Sequence, residues 1–313
     1  MRTLLKSGRI YDGTGAEPWV GDLLIDGERI ARIAPEIDEA ADAVYDLRGK
    51  SVAPGFIDVH SHNDWFAIHK NPQPYFEPFI RQGITSFVTG NCGLSAIGFE
   101  DGTPNVKRMG GGLFGYRGQT TSVYPDAARF LDAVDGKVPC NIAVLAGHCS
   151  ARASVAGEEN RKLTAQEQER MLAILEENLK MGAAGVSLGL MYSPGMFADE
   201  AEIRRVAELC VKYDKPLTVH PRAESRISTS YPELLGRSHL LRAMDELAAV
   251  KYRASQLENE LFAMKAKAYE GNADVLLFEE PMSPDALRRF ADAVMTHCSG
   301  TIAIFAGSDA EGY

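Results

Sequence analysis

In "GFIDVHSHND", residues 55–64, an apolar run ends in His60 and His62, one residue apart, and then an acid, Asp64. Side chains at i and i+2 of an extended strand leave from the same face. A strand through "SVAPGFIDVH" therefore predicts two imidazoles projecting together from its carboxyl end, close enough to share one metal ion. Taken alone, a His-x-His pair fits equally a buried strand end followed by an exposed loop histidine. Other strand-like runs discriminate. "ITSFVTGNCG" leads into Cys92 in a glycine-bounded turn, "NIAVLAG" runs into "GHCSAR" with His148, and "KPLTVH" ends on His220. The chain holds seven histidines and five cysteines, so this many strand ends carrying them predicts a metal site. Imidazole and thiolate suit zinc, and the metal itself favours the thiolate. A catalytic zinc keeps one position for water, whose pKa falls from about 15.7 to about 7. Such a centre attacks a carbonyl, and a nearby carboxylate must carry the proton to the leaving amine. His148 is a weaker candidate, because "GHCSAR" serves equally as a loop anchor. Cys140, Cys149 and Cys210 read as buried thiols, and His69, His239 and His297 lie beside helical patterns as structural residues.

The elements that must position these residues follow from periodicity. Residues 1 to about 50 are short strands broken by turns, with Asp26-Gly27 in "IDGERI" as a hairpin signal. From residue 51, five apolar strand-like runs up to His220 alternate with helical segments, which predicts a parallel sheet with crossovers, buried on both faces. The helix that starts after Thr164 has Leu172, Leu175 and Leu179 at helical spacing, and Gly182 stops it. In such a fold functional side chains gather at strand carboxyl ends. From Leu240, apolar residues follow a seven-residue repeat: Leu240, Ala243, Leu247, Val250, Ala254, Leu257, Leu261, Met264 and Ala268. That predicts a long helix, either packed on its own domain or pairing with another copy through residues 240–268. A strand-like run, a helix with Ser283 as its N-cap, and a second strand-like run follow.

At 313 residues, 45% hydrophobic and 24% charged, the composition is that of a globular protein. No apolar run approaches the roughly 20 residues a membrane span requires. The start lacks the apolar core of a secretory signal, and five cysteines without CxxC spacing suggest reduced thiols, so a cytoplasmic location is expected. A net charge of −10 argues against a nucleic-acid surface.

Residues 1–247 resemble the metal-dependent amidohydrolases, most closely the N-acyl-D-amino-acid deacylases, or D-aminoacylases. The motifs that carry the resemblance are "GRIYDGTG", "VAPGFIDVHSHND", "VTGNCG", "GHCSAR", "GAAGVSLGLMYSPGMFA" and "TVHPRAES". The resemblance implies a (β/α)8 barrel with a small β-sandwich and zinc hydrolysis of an acyl-amide bond. By position it implies that His60 and His62 belong to a weaker metal site, that Cys92 and His220 belong to a tighter one, and that Tyr192 lies near substrate.

The pattern then breaks. The family takes a further histidine from the sixth strand and an aspartate from the last strand as general base, and neither stands in its setting; Ser238 and His239 open a helix instead. An eight-stranded barrel takes about 250 residues, against the 197 from Ser51 to Leu247. Residues 248–313 resemble the coiled-coil and C-terminal region of long-form alanyl-tRNA editing proteins. They hold six Lys or Arg against ten Asp or Glu, which disfavours a phosphate-tracking surface.

The expected fold is therefore α/β: a β-sandwich segment (1–50), an incomplete five-stranded amidohydrolase barrel (51–247), and a long helix with a small α/β tail (248–313). The expected function is zinc-dependent hydrolysis of N-acyl-D-amino acids, impaired by the missing half of the barrel, with the general base unassigned. Asp309, after the last strand-like run, is a minor candidate. One alternative is an inactive fused or truncated chain whose tail serves helix pairing or tRNA association. Another is a cyclic-amide hydrolase of the dihydroorotase or hydantoinase type, disfavoured because those enzymes use a carboxylated lysine where this chain offers Cys92.

Overall fold

Five strands occupy the first fifty-two residues: β1 (Arg2–Ile10), β2 (Trp19–Asp26), β3 (Arg29–Ala34), β4 (Ala43–Asp46) and β5 (Ser51–Val52). They appear in a computed structural model that describes residues 1–100, 103, 105, 124–157, 159–228, 230–231, 237–279, 282 and 284–307. The sheet order is β3-β2-β1-β4, with β5 also on β1. β2 and β3 form the hairpin expected at Asp26-Gly27, with Asp26 opposite Arg29 and Gly27 at φ 60°. Asp22 organises the interior of this sheet. Its buried carboxylate accepts from the backbone N–H of Ser7 at 2.8 Å and of Ile37 at 2.9 Å. These bonds hold the irregularity in β1 where Ser7 adopts φ 59°. Leu4, Leu24 and Ile37 form the buried side, while Val20, Ile30, Ile33, Val44 and Tyr45 are exposed.

The chain divides into two compact units, residues 1–57 with 81–85, and residues 58–80 with 86–313. All the candidate ligands fall in the second. The second sheet comprises β6 (Phe56–Asp58), β7 (Ile84–Thr89), β8 (Asn141–Gly147), β9 (Gly185–Gly189) and β10 (Leu217–His220). Its order, β10-β9-β8-β7-β6, is the chain order, and the pairs from β7 to β10 are parallel. Between the strands lie α1 (Asp64–Ala67), α2 (Gln73–Ile80), α3 (Ala127–Val134), α4 (His148–Ala156), α5 (Ala165–Lys180) and α6 (Glu200–Lys212). This is an α/β parallel half-barrel, and among the described residues no strand pairs with the outer edge of β6 or β10. Continuous burial of β9, all five residues, fits a strand covered on both faces.

α5 starts at Thr164 through a full capping box: the Thr164 hydroxyl accepts from Glu167 N–H, and the Glu167 carboxylate accepts from Thr164 N–H. Gly182 ends it at φ 101°. Its buried face is Met171, Leu175, Asn178 and Leu179; Leu172 is only half-buried, one position off the expected stripe.

α7 (His239–Ala266) is followed by β11 (Val275–Glu279), α8 (Pro284–Met295) and β12 (Ile302–Ala306). The long helix is present, and within this single chain only part of the seven-residue seam is buried. Ala243 and Val250 are buried, whereas Leu261 is 48% and Met264 70% exposed, and Phe262 and Ala266 turn inward instead. The first part of α7 packs on α6 and the second on α8. The side chains of Ala254 and Leu257, and the expected N-cap Ser283, lie outside the described residues, as does Asp309. β11 and β12 form a separate parallel pair. Val275 and Leu277 point into a core with Phe262, Phe290 and Val294, and the alternate residues Leu276 and Phe278 are exposed.

Candidate metal centre

The residues expected to bind metal come from the carboxyl ends of three strands, two of them in the turns that follow. β6 stops at Asp58, so His60 and His62 lie in the turn after the strand, not on it. The i, i+2 strand argument for their common direction therefore fails. They converge because the turn folds back: Ser61 N–H donates to the Val88 carbonyl at 3.1 Å, and the two rings meet edge-on with centroids 5.9 Å apart.

Cys92 sits in the turn after β7 with φ 56°, between Gly90 at 78° and Gly93 at 73°. A left-handed cysteine costs about 1–2 kcal/mol, so the surroundings must impose it. Ser187 on β9 accepts from Gly93 N–H at 3.0 Å and donates to the Gly90 carbonyl. Asp64 accepts from Thr89 Oγ1 at 2.6 Å and from Ala96 N–H at 2.7 Å. Two glycines let neighbouring backbone approach: a Cβ at Gly189 would lie 2.0 Å from the Cys92 carbonyl oxygen, and one at Gly147 would lie 2.5 Å from that of Gly93. His220 is the last residue of β10. The loop after it is held by Arg222, which donates to the Met196 and Ala198 carbonyls at 2.6 and 2.8 Å and pairs with Glu246.

Cys92 Sγ lies 3.3 Å from His60 Nε2 and 3.6 Å from His220 Nδ1. One ligand atom from each of His60, His62 and Cys92 falls within 4.8 Å of the others. Tetrahedral zinc, with Zn–N of about 2.0–2.1 Å and Zn–S of about 2.3 Å, separates a nitrogen and a sulfur ligand by roughly 3.6 Å. The donor set and its spacing fit such an ion. Burial, with the neighbouring His60 and His220, lowers His62 to about 4, which keeps its imidazole neutral and able to ligate. Burial, helped by the Glu224 charge, raises the Cys92 thiol, and burial lowers His220. Tyr192 lies beside this cluster, its hydroxyl 3.3 Å from His220 Nδ1 and its ring centroid 4.6 Å from the imidazole.

His148 is elsewhere. It opens α4, is fully buried, and contacts Glu202 Oε1 at 2.8 Å, which Arg152 also reaches at 2.9 Å. His239 at the start of α7 is bonded to Ser228. Three residues central to the cluster were not read from sequence: Asp64 as the anchor of the Cys92 turn, Ser187 as its clamp, and Glu224 beside His220. Only Asp64 carried a signal, its place directly after the histidine pair.

The amidohydrolase family pattern matches residues 43–216, more than half of the chain. The chain belongs to the amidohydrolase family. Its match to an N-acyl-D-glutamate deacylase of Alcaligenes xylosoxydans xylosoxydans is 35% identical over 222 residues, 71% of this chain and 44% of that protein. A D-aminoacylase of the same organism is 34% identical over 221 residues, 69% of this chain and 42% of that protein. The crystal structure of N-acyl-D-glutamate deacylase from Bordetella bronchiseptica, in complex with zinc and a phosphonate mimic of the tetrahedral intermediate, superposes with a TM-score of 0.67. The two are 28% identical, and the match covers 96% of this chain and 57% of that one. A D-aminoacylase structure superposes at 0.66 with 24% identity, a likeness of fold. This amidohydrolase spans less than half the length of these curated relatives, and residues 248–313 lie outside the family match. Among its described residues no helix is long and apolar enough to cross a membrane.

Proposed function

We propose that this chain carries the zinc-binding half of a deacylase acting on the acyl-amide bond of N-acyl-D-amino acids. The observation that supports it is the cluster of His60, His62 and Cys92, with ligand atoms within 4.8 Å of one another and His220 Nδ1 3.6 Å from the Cys92 sulfur. The relatives at 34–35% identity are a D-aminoacylase and an N-acyl-D-glutamate deacylase, which supports the substrate class. In this reading His60, His62, Cys92 and His220 hold zinc, whose Lewis acidity polarises the acyl carbonyl and acidifies a water. Tyr192 offers its hydroxyl to the substrate from beside His220. The three segments 1–50, 51–247 and 248–313 serve respectively as a sandwich segment, a partial barrel and an appended tail that either packs intramolecularly or pairs with another copy.

The general base is unassigned; where one is positioned, acid–base catalysis contributes roughly 10²–10⁴-fold. The test is elemental analysis of purified chain after dialysis against zinc, with Cys92→Ala and His220→Ala alongside, followed by release of acetate from N-acetyl-D-glutamate and its L isomer. Zinc bound by the parent and lost from both variants supports the reading. A parent that takes up no zinc refutes it.

A further inference from the structure

His148 stands apart from the metal cluster, yet the helix it opens touches the Cys92 turn directly. Ser150, the third residue of α4, is fully buried. Its N–H, one of the first-turn donors that a helix leaves without an internal acceptor, donates to the Gly93 carbonyl at 3.1 Å. Its hydroxyl accepts from the Ser95 N–H at 2.9 Å and donates to the Ser95 carbonyl at 2.9 Å. Ser187 and Asp64 take the Gly93 and Ala96 N–H groups of the same segment, so Ser150 supplies the partners those two leave out. Gly147 permits the approach, because a Cβ there would lie 2.8 Å from the Ser95 nitrogen.

We propose that Ser150 is a positioning residue for Cys92: it braces the backbone of Gly93 and Ser95 and so keeps the Cys92 sulfur directed at His60 and His220. The left-handed φ of 56° at Cys92 is a conformation that persists only where the surroundings over-determine it. α4 is in turn held from the side of α6. The buried Glu202 carboxylate meets His148 Nε2 at 2.8 Å and accepts from Arg152 Nε at 2.9 Å, two residues before and two after Ser150. Arg152 also donates to the Arg161 carbonyl at 2.8 Å. A carboxylate buried this deeply is tolerated only with such partners, and they fix the first turn of the helix that carries Ser150. This gives the His148 motif a role without placing it on the metal. The consequence for metal binding rests on the proposed zinc site; the bracing of the turn does not.

The experiment uses the full chain. Amide hydrogen exchange of the metal-free protein, read by NMR at the Ser95 N–H, compares the parent with Ser150→Ala and Ser150→Cys. The cysteine variant fills the same space with a much weaker acceptor, and it carries the test should the alanine variant not fold. Thr164→Ala, a lesion in the cap of α5, controls for a general loss of stability. Cobalt(II) then stands in for zinc, and its thiolate charge-transfer absorption reports the bond to Cys92 in the parent, Ser150→Ala and Thr164→Ala. Ser95 is expected to exchange about tenfold faster or more in both Ser150 variants than in Thr164→Ala. Ser150→Ala is expected to show a weakened or shifted charge-transfer band and about tenfold lower cobalt affinity, with Thr164→Ala like the parent. Ser95 exchange within twofold of the Thr164→Ala control overturns the proposal, as does a Ser150→Ala chain whose cobalt band and affinity match that control. If the parent takes up no metal, the hydrolase reading falls, while exchange at Ser95 still decides whether Ser150 braces the turn.

Discussion

Asp64 is the residue on which the geometry of the Cys92 turn most depends, so its removal has a calculable consequence. Its carboxylate is completely buried and receives two hydrogen bonds, from Thr89 Oγ1 at 2.6 Å and Ala96 N–H at 2.7 Å. In Asp64→Ala both donors lose their acceptor without gaining water. Each stranded buried donor costs about 1–3 kcal/mol. Thr89 recovers part of its share, because the Ser61 carbonyl is 3.4 Å away; the Ala96 N–H has no such substitute among the bonds it makes. The expected loss is about 2–4 kcal/mol. Asp64→Asn should behave differently. Its amide oxygen still accepts from Ala96, and burial, which raises the Asp64 carboxyl above its usual range, penalises a charge that Asn does not carry. The expected loss is below about 1 kcal/mol. Urea unfolding of the zinc-free proteins, followed by circular dichroism with the slope held common, measures both. Zinc affinity should fall with Asp64→Ala and survive in Asp64→Asn, since the carboxyl acts on the metal centre only through the turn. An Asp64→Ala protein within 1 kcal/mol of the parent, with unchanged zinc affinity, would refute the anchoring argument.

Other consequences are more quickly stated. Phe262→Ala should cost about 3–4 kcal/mol because its ring is buried in the tail core, whereas Leu261→Glu and Met264→Glu should leave melting and sedimentation unchanged; a dimer dissolved by the Glu variants would restore the original heptad seam. Glu167 is held at about 2, chiefly by its hydrogen bonds to Arg161, so its contribution to stability is full above the unfolded value near 4.5 and is lost as pH falls toward 2. Arg161→Ala should therefore flatten the pH dependence of the urea midpoint over that window, and an unchanged profile would show that the pair contributes nothing. Thr164→Ala should lower stability by about 1 kcal/mol by stranding the first-turn N–H of Glu167, measured by the same urea titration. Gly189→Ala should disturb the Cys92 turn through a clash with its carbonyl oxygen, seen as a loss of zinc uptake relative to the parent; unchanged uptake would show that the close approach at Gly189 does not set the turn.

Much of this molecule was legible from local pattern. The five strands of the second sheet, the hairpin at Asp26-Gly27, the capped helix after Thr164 and the long helix through residue 250 follow from periodicity, turn residues and caps, which act over a few neighbours. Residue type and place were also enough to single out His60, His62, Cys92 and His220, because a soft ligand at a strand end is an unusual choice among so few histidines and cysteines. Tertiary structure decided how those residues meet. His60 and His62 converge through a turn tied to β7, not through strand alternation. Cys92 is aimed by Asp64 at the start of α1 and by Ser187 on β9, at a left-handed φ that no local preference would select. The exchange of Leu261 and Met264 for Phe262 and Ala266 on the buried face of α7 was likewise invisible, since α6 and α8 choose which residues they cover. Each of these depends on contacts between residues distant in sequence, whose register no short-range pattern encodes.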